Sequence, residues 1–293
     1  MSIIVDHNTR LLVQGITGHA GRFHSGAMKD YGTCVLAGVS PRKGEKEVNG
    51  IPVYATVREA VREHDINTSI IFVPAPSAPD AVYEAVAGGI ETIVIVTEHI
   101  PIHDSMKFIH YARMNNIRIL GPNCPGVASP SKTLVGIMSP AIFSPGNIGV
   151  VSRSGTLTYE IVSSITEAGF GESTIVGLGG DPITGTSFIE ALEMFEADQE
   201  TQGIVLVGEI GGTAEEDAAE FIETMKKPVY AYIAGRSAPS GKRMGHAGAI
   251  IARGKGTVES KEKALLYAGA KVARFSSEIA ALLIHDFGDP TQR

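Results

Sequence analysis

The sequence has 293 residues, 43% of them hydrophobic, which is enough for two ordinary α/β domains that each bury a core. Its formal net charge is −7, and the basic residues are scattered among acidic ones, which excludes a general nucleic-acid-binding surface. Two cysteines cannot form a disulfide framework, and no apolar run approaches the roughly 18 residues of a membrane span, so we expect a soluble protein, cytoplasmic or in an organelle matrix after any targeting segment is removed.

Short β-branched runs alternate with helical patterns in the first 120 residues. The runs are "RLLVQG", "CVLAGVS", "TSIIFVPAP", "TIVIVTE" and "IRILGPN". Segments between them, such as 78–87 and 104–115, have the polar and apolar spacing of helices. This alternation predicts a parallel sheet with helices on both faces.

A second α/β series follows a connection over 121–146 that is rich in Pro, Gly and Ser and lacks helical periodicity, which predicts a domain boundary. The later strands are "IGVVS", "TIVGLGG", "GIVLVGEIGG", "PVYAYIAG" and "AKVARF", with helices predicted near 155–168, 186–195, 214–225, 260–267 and 277–284. We therefore predict domains at 1–122 and 123–293, each an open sheet whose ligands bind beyond the carboxyl ends of the strands.

The first predicted strand ends in "GITGHAG", which places glycines at Gly15, Gly18 and Gly21. This is a variant of the dinucleotide fingerprint, in which glycines let the backbone approach a pyrophosphate at a helix N-terminus. A tight turn without a ligand is the alternative. The end of the second strand offers Arg42 and Lys43 instead of an acidic residue, which favours a phosphate on an adenosine ribose, as in NADP and coenzyme A, although two solvated surface cations would look the same.

Later strand ends of the first domain carry Glu98, Asn123 and Cys124, which are candidates for the same site or ordinary turn residues. The second domain repeats the strand, small-residue turn and helix in "VVSRSGTLTYE". There the N–H groups of Ser154, Gly155 and Thr156 could bind an anion, with simple helix capping as the alternative.

His246 lies in "GKRMGHAGAII", between glycines and after two cations, and Glu209 ends the strand "VLVGE". A carboxylate that accepts the N–H of an imidazole leaves the other ring nitrogen free to attack. With an anion cradle nearby, these are the requirements of a phosphoryl carrier. A zinc site in "HIPIH" is disfavoured because no third ligand follows, so we interpret His99 and His103 as surface loop residues.

A nucleotide site is missing from the motifs. "GRSAPSGKR" resembles a P-loop but has one residue too many and Arg243 in place of the Ser or Thr that binds magnesium. A partner chain with its own nucleotide site is therefore implied.

Together these motifs resemble the alpha subunits of succinyl-CoA synthetases, over nearly the whole chain from "VQGITG" through "GPNCPG", "SRSGTLTYE", "GGDPI" and "GEIGG" to "GKRMGHAGAII". The resemblance implies an α/β fold with an N-terminal Rossmann-like CoA-binding domain followed by a flavodoxin-like doubly wound domain. It implies that His246 is a transient phosphohistidine, that Glu209 hydrogen-bonds to it, and that the turn at Ser154, Gly155 and Thr156 holds the phosphate. The residues that match the family's coenzyme A site are Thr17, Gly18, His19, Ala20, Lys43, Val96, Thr97 and Glu98, with Asn123 and Cys124 near the thiol and Tyr159 near the organic acid.

The resemblance also implies the reaction and the partner. Phosphate and succinyl-CoA give succinyl phosphate, His246 takes the phosphoryl group, and ADP or GDP receives it on an ATP-grasp beta subunit with Mg²⁺, in an αβ or α2β2 assembly. Arg42, Glu45, Arg253 and Lys255 depart from the family pattern, so malate or another dicarboxylate stays an alternative acid. An NADP-dependent oxidoreductase and a non-catalytic CoA sensor are the alternatives from other classes.

Overall fold

The computed structural model describes residues 2–41, 44–239, 241–251 and 256–292. Their strands are β1 Arg10–Gln14, β2 Cys34–Val39, β3 Glu47–Val48, β4 Ile51–Tyr54, β5 Thr68–Ile71, β6 Thr92–Ile95, β7 Arg118–Leu120, β8 Gly126–Ser129, β9 Thr133–Gly136, β10 Pro145–Ser152, β11 Glu172–Gly177, β12 Gly203–Glu209, β13 Val229–Ala234 and β14 Lys271–Ala273. Their α-helices are α1 His19–Asp30, α2 Val57–Glu63, α3 Ala78–Ala87, α4 Ile102–Met114, α5 Gly155–Glu167, α6 Phe188–Ala197, α7 Ala214–Ile222, α8 Val258–Tyr267 and α9 Glu278–Phe287.

The first sheet has the strand order β3-β4-β2-β1-β5-β6-β7 and is parallel except for the β3–β4 pair. Leu11, Leu12 and Val13 of β1 are fully buried, because helices cover both faces of a parallel sheet and its strands are then apolar throughout. The chain leaves β1 towards β2 on one side and later returns to β5 on the other. The gap between the carboxyl ends of β1 and β5 is therefore a topological switch point, where ligands of such sheets bind.

The second sheet has the order β14-β13-β12-β10-β11-β8-β9. Strands β10 to β14 are parallel, whereas β8 runs antiparallel to β11 and β9 antiparallel to β8. Ser152 at the end of β10 pairs with Gly177 of β11 on one side and Val207 of β12 on the other. The second switch point lies between β10 and β12, so the loops after these strands meet there. The predicted fold class, two successive open α/β sheets, is confirmed.

The hairpin β8–β9 lies within 121–146, which the sequence predicts only as a domain boundary without helical periodicity. Its strands are four residues long and rich in small residues, so they carry too little periodicity to be recognised. Gly126 and Gly136 pair so closely that a Cβ on Gly126 would lie 2.2 Å from the carbonyl oxygen of Val135. The strands β3 and β4 and the helix α2 were also missed.

The hairpin also contacts the first sheet's helix α1. The Thr33 hydroxyl donates to the carbonyl of Leu134 over 2.7 Å, and the Gly136 N–H lies 3.4 Å from the Met28 sulfur. One cluster of buried apolar side chains continues from the first sheet into the second. The division at 122/123 stays a prediction.

In the described part of the chain, no helix is both long enough and apolar enough to cross a membrane. The helix α4 corrects a smaller point. It begins directly after Pro101, which occupies its N-cap, so His103 lies in a helical turn and not in a loop.

Candidate active site between the two sheets

A cavity of about 550 Å³ lies where the carboxyl ends of the two sheets face each other. The first sheet contributes Ala20 and the segment after β5 that includes Phe72 and Val73. The second sheet contributes the first residues of α5, Gly155 and Thr156, and the imidazole of His246. Both sheets therefore contribute their carboxyl-end loops to one cavity.

The wall from the first sheet is built on the glycine turn after β1. Gly15 has a φ of +84°, and the Gly18 N–H donates to the Gly15 carbonyl over 3.0 Å. A Cβ on Gly21 would lie 2.2 Å from that same carbonyl oxygen, so α1 can pack this closely only with glycine there. Gly18 is the N-cap of α1 and supplies no side-chain cap, which leaves the first N–H groups of the helix for an anion.

Six of the predicted coenzyme A residues line this cavity: Ala20, Val96, Thr97, Glu98, Asn123 and Cys124. The Thr97 hydroxyl donates to the Val73 carbonyl over 2.7 Å, and the Thr97 carbonyl accepts the Asn123 N–H over 3.0 Å, so backbone contacts fix these loops to each other. Burial raises the pKa of the Cys124 thiol to about 12. Asn123 Nδ2 donates to the Asp181 carboxylate over 3.1 Å, and burial raises the pKa of that carboxyl group.

The remaining predicted coenzyme A residues are placed differently. Thr17, Gly18 and His19 come directly before Ala20, at the start of α1, and are not among the residues that line the cavity. The Thr17 hydroxyl donates to the Ser40 hydroxyl over 2.9 Å. Lys43 and its neighbour Arg42 lie outside the described residues.

Tyr159 is absent from the described residues that line the cavity, and its position near the organic acid stays a prediction. Its hydroxyl donates to the carbonyl of Ile137 over 2.9 Å and accepts the N–H of Ser139 over 3.1 Å. Ile137 itself lines the cavity. Tyr159 therefore holds this wall segment through one donated and one accepted hydrogen bond.

The N-terminus of α5 offers fewer free N–H donors to an anion than the sequence predicts. The Ser154 side chain caps the helix by accepting the Leu157 N–H over 3.3 Å, and its own N–H donates to the Ser152 hydroxyl over 3.1 Å. The N–H groups of Gly155 and Thr156 have no acceptor among the described residues, and both residues line the cavity. Two of the three predicted donors are therefore available to an anion.

His246 and Glu209 form a direct pair. Nδ1 of His246 lies 2.8 Å from Oε2 of Glu209, which is the last residue of β12. The Glu209 side chain is 8% exposed and that of His246 28%, so the carboxylate is sheltered while the ring reaches the cavity. The hydrogen bond to Glu209 raises the pKa of His246, against an opposing effect of burial. A carboxylate on Nδ1 leaves Nε2 as the ring nitrogen for chemistry.

Glycines shape the space for the loop that carries His246. A Cβ on Gly180 would lie 2.4 Å from Cγ of the imidazole, so the ring packs directly on this backbone. The Gly248 N–H donates to the Gly180 carbonyl over 3.2 Å, and Gly245 has a φ of +76°. The loop between β13 and α8 is thereby docked on the loop that follows β11.

Charged residues that no sequence motif indicated lie behind this pair. Arg153, in the "SRSG" segment already singled out, reaches Glu209 from its other side, and Glu215 and Lys261 continue the cluster inward. A buried lysine or arginine gives no periodic signal, so only its position beside a predicted strand end could have drawn attention to it. Among the described residues, no group of three or more His, Cys, Asp or Glu side chains could hold a metal ion.

Comparison with known proteins defines the class first. The model of the CoA binding domain matches residues 6–99, and the model of the CoA-ligase domain matches residues 151–271. The chain therefore joins a CoA-binding domain to a CoA-ligase domain, in the order in which the two sheets follow one another.

Curated relatives then define the family. The chain is 58% identical over 283 residues to succinate–CoA ligase (ADP-forming) subunit alpha 2 of Archaeoglobus fulgidus, covering 97% of this chain and 99% of that one. It is 55% identical over 277 residues to succinate–CoA ligase (ADP-forming) subunit alpha of Methanothermobacter thermautotrophicus, covering 94% of each chain. The chain belongs to the family of succinate–CoA ligase alpha subunits, as the motifs predicted.

A solved structure supports the fold. ATP citrate lyase from Methanothrix soehngenii, in complex with citrate and coenzyme A, matches with a TM-score of 0.85 and 24% identity over 97% of this chain. This chain spans about half of that longer one, 51%. The Rossmann-like domain followed by a flavodoxin-like domain is confirmed.

Proposed function

We propose that this chain is the alpha subunit of a succinate–CoA ligase, which with a beta subunit interconverts succinate, coenzyme A and a nucleoside triphosphate with succinyl-CoA, a nucleoside diphosphate and phosphate. One observation carries the proposal. His246, which is held from behind by Glu209, lines one cavity together with the first residues of α5 and residues of the CoA-binding domain. Acyl and phosphoryl chemistry can therefore occur without a reactive intermediate leaving the protein.

The first domain fits coenzyme A by its backbone. The glycine turn at the start of α1 leaves helix N–H groups for a phosphate, and Thr17, Gly18, His19 and Ala20 form that turn and the helix start. Val96, Thr97, Glu98, Asn123 and Cys124 lie further along the cavity, where the pantetheine arm would run. We propose that Lys43 pairs with the ribose phosphate. When bound, coenzyme A supplies the thiol that accepts the acyl group.

The second domain fits phosphoryl transfer. We propose that Nε2 of His246 attacks the phosphorus of an acyl phosphate, so that a P–N bond forms, the P–O bond to the acyl group breaks and a carboxylate leaves. Glu209 accepts the Nδ1–H throughout and balances the positive charge that develops on the ring. The N–H groups of Gly155 and Thr156, with the α5 dipole behind them, bind the phosphoryl oxygens.

A partner completes the reaction. The relatives' names call their chains alpha subunits and ADP-forming, which supports a beta subunit that binds ADP or ATP. We propose that it is an ATP-grasp chain with Mg²⁺ and ATP or GTP, in an αβ or α2β2 assembly. The same names support succinate as the acid, and an assay of succinate against malate with the complex tests that choice.

The test is the phosphorylation of His246 in the complex with the beta subunit. We expect acid-labile phosphate on the peptide that contains His246 after incubation with ATP or GTP and magnesium, detected by mass spectrometry under alkaline conditions. In His246→Ala, turnover should be lost while coenzyme A still binds. His110→Ala, on the exposed face of α4, is the matched control and should behave as wild type. Turnover in His246→Ala at the wild-type rate would refute the mechanism.

A further inference from the structure

A row of buried side chains of alternating charge leads from His246 into the second domain. Behind His246 come Glu209, Arg153, Glu215 and Lys261, which are 6%, 8%, 0% and 0% exposed. Arg153 Nη1 lies 3.2 Å from Oε1 of Glu215, and Lys261 Nζ forms an ion pair with Oε2 of the same carboxylate. The row draws on the turn after β10, on β12 and on α7 and α8, so it forms only in the folded second domain.

Glu209 is held differently at its two oxygens. Oε2 is bound by His246 at 2.8 Å. Oε1 is buried and has no hydrogen-bond donor among the described residues, and the cation that faces it is Nη2 of Arg153, at 3.5 Å. A Cβ on Gly248 would lie 2.9 Å from that same Nη2, so Arg153 also contacts the loop that carries His246.

Arg153 is itself fixed by two acceptors. Its Nη1 donates to Glu215 Oε1 and to the carbonyl of Gly211, each over 3.2 Å. The same Glu215 oxygen accepts the N–H of Glu209 over 3.1 Å, so one carboxylate holds both the arginine and the backbone of the residue that the arginine faces. Gly208 leaves room for this, because a Cβ there would lie 2.8 Å from Glu215 Oε1.

Burying these four charged side chains costs desolvation free energy, and the stability of the domain alone does not require them. Buried charges must be paired and hydrogen-bonded, and a buried ion network replaced by apolar side chains of similar volume is often as stable or more stable. Here the charges alternate in the direction of a reactive imidazole and end on it. At the inner end of the row, Lys261 Nζ also lies 3.2 Å from Oε2 of Glu216, so the charge of this lysine is balanced by carboxylates.

We propose that Arg153 is a positioning residue for His246, which holds Glu209 so that Oε2 stays on Nδ1 and offsets the charge of that carboxylate. Glu215 and Lys261 anchor the arginine from behind. The proposal rests on the proposed role of His246 as a phosphoryl carrier.

The charges that face His246 support the direction of the effect. Glu209 and Asp181 are negative and raise the pKa of the imidazole, whereas Arg153 is positive and lowers it. Removal of Arg153 therefore raises the pKa of His246 further. Since attack requires the neutral ring, the acid limb of the rate profile moves to higher pH.

The first experiment compares Arg153→Gln with Arg153→Lys in the complex with the beta subunit. For Arg153→Gln we expect kcat to fall about 10- to 100-fold, with KM for coenzyme A and for the acid nearly unchanged and the acid limb at higher pH. Arg153→Lys keeps the charge and should restore the acid limb and part of kcat. A folded Arg153→Gln enzyme with wild-type kcat and acid limb would overturn the proposal.

A second measurement does not depend on activity. The ¹⁵N chemical shifts of the His246 ring in the full chain, assigned by their loss in His246→Ala, report which nitrogen carries the proton. We expect one tautomer, protonated at Nδ1, in the wild type and a mixture in Arg153→Gln. Unchanged ¹⁵N shifts in Arg153→Gln would refute the positioning role, whether or not His246 is ever phosphorylated. A wild-type complex that forms no phosphohistidine would refute the proposed function instead.

If Arg153→Gln does not fold, the double variant Glu215→Gln with Lys261→Met replaces it. This pair removes one charge of each sign and keeps an oxygen for Arg153 and for the Glu209 N–H. We expect a folded protein with lower kcat and a weakened preference for the Nδ1 tautomer, because the arginine has lost its charged anchor. Wild-type kcat and tautomer in this variant would refute the anchoring role.

Discussion

His246 and Glu209 are 37 residues apart in the sequence and 2.8 Å apart in the fold. The pair exists because Glu209 is the last residue of β12, and the loop that carries His246 leaves the carboxyl end of the neighbouring strand β13. A sheltered carboxylate beside a ring that reaches a cavity raises the pKa of the imidazole and fixes its proton. This arrangement leaves Nε2 as the ring nitrogen for the proposed attack.

Glu209→Gln tests the pair. The amide oxygen can still accept the Nδ1–H, but the pKa of His246 should fall towards its ordinary 6.5, because the hydrogen bond to a charged carboxylate is what raises it. Attack needs the neutral ring, so phosphorylation should begin to rise at a lower pH than in the wild type. The plateau rate should fall about 100-fold, because no charge balances the developing imidazolium.

The measurement is the rate of His246 phosphorylation against pH in the complex. Glu193→Gln, at an exposed position of α6, is the control. An acid limb that stays at the wild-type pH would show that Glu209 does not set the pKa of His246.

Single residues were predictable where a motif surrounds them. His246, Glu209, Gly155 and Thr156 stand in short glycine-rich runs at strand ends, which the topology brings to one edge. Arg153 was not predictable, because its role depends on Glu215 and Lys261, which come from distant helices. The hydrogen bonds of the Tyr159 hydroxyl were not predictable for a similar reason, since they involve backbone that the sequence left unassigned.

Among the secondary-structure elements, α1 depends most directly on one glycine. The helix begins against the turn after β1, and Gly21 faces the Gly15 carbonyl with no room for a side chain. The direction of the helix axis, and with it the direction of the free N–H groups, follows from this contact.

Gly21→Ala should displace the start of α1 and lower the affinity for coenzyme A by roughly tenfold or more, which is about 1.4 kcal/mol. Isothermal titration of the chain with coenzyme A measures the effect. Gly26→Ala on the same helix is the matched control, because its Cβ would meet only the Asn49 side chain, at 3.2 Å. Equal affinities in the two variants would mean that α1 does not bind the ligand through its N-terminus.

Strands and helices that are long enough to show a repeating pattern of apolar residues were predicted, whereas shorter ones were not. The main parallel strands and most helices follow from apolar runs and from the spacing between them. The hairpin β8–β9 and the pair β3–β4 have strands of two to four residues, which is too short for a pattern to stand out. Their pairing is decided by the sheets that they join.

In the whole molecule, the two sheets share one apolar cluster and one cavity. The hairpin of the second sheet is bound to the first by the contacts of Met28 in α1 and Thr33 in the turn after it. The sequence predicted two domains but not this junction, because the junction depends on the hairpin that was missed.

The shared cluster predicts cooperative unfolding. We expect a single calorimetric transition in which the calorimetric and van't Hoff enthalpies agree, because exposing one sheet exposes apolar surface of the other. Coenzyme A at 100 times its Kd should shift the whole transition, by about 2.7 kcal/mol in the free energy of unfolding. Two transitions, of which coenzyme A moves only one, would show that the domains unfold independently.

Cys124 gives the cavity a property that matters for thioester chemistry. Its thiol lies on the wall, 97% shielded, donates to the Ile95 carbonyl and has a pKa of about 12. Only a thiolate competes for an activated acyl group, and at neutral pH this side chain is almost never one. Cys124 can thus lie beside the proposed acyl-transfer route without becoming acylated itself, and thiol-directed reagents should react first with the exposed Cys34.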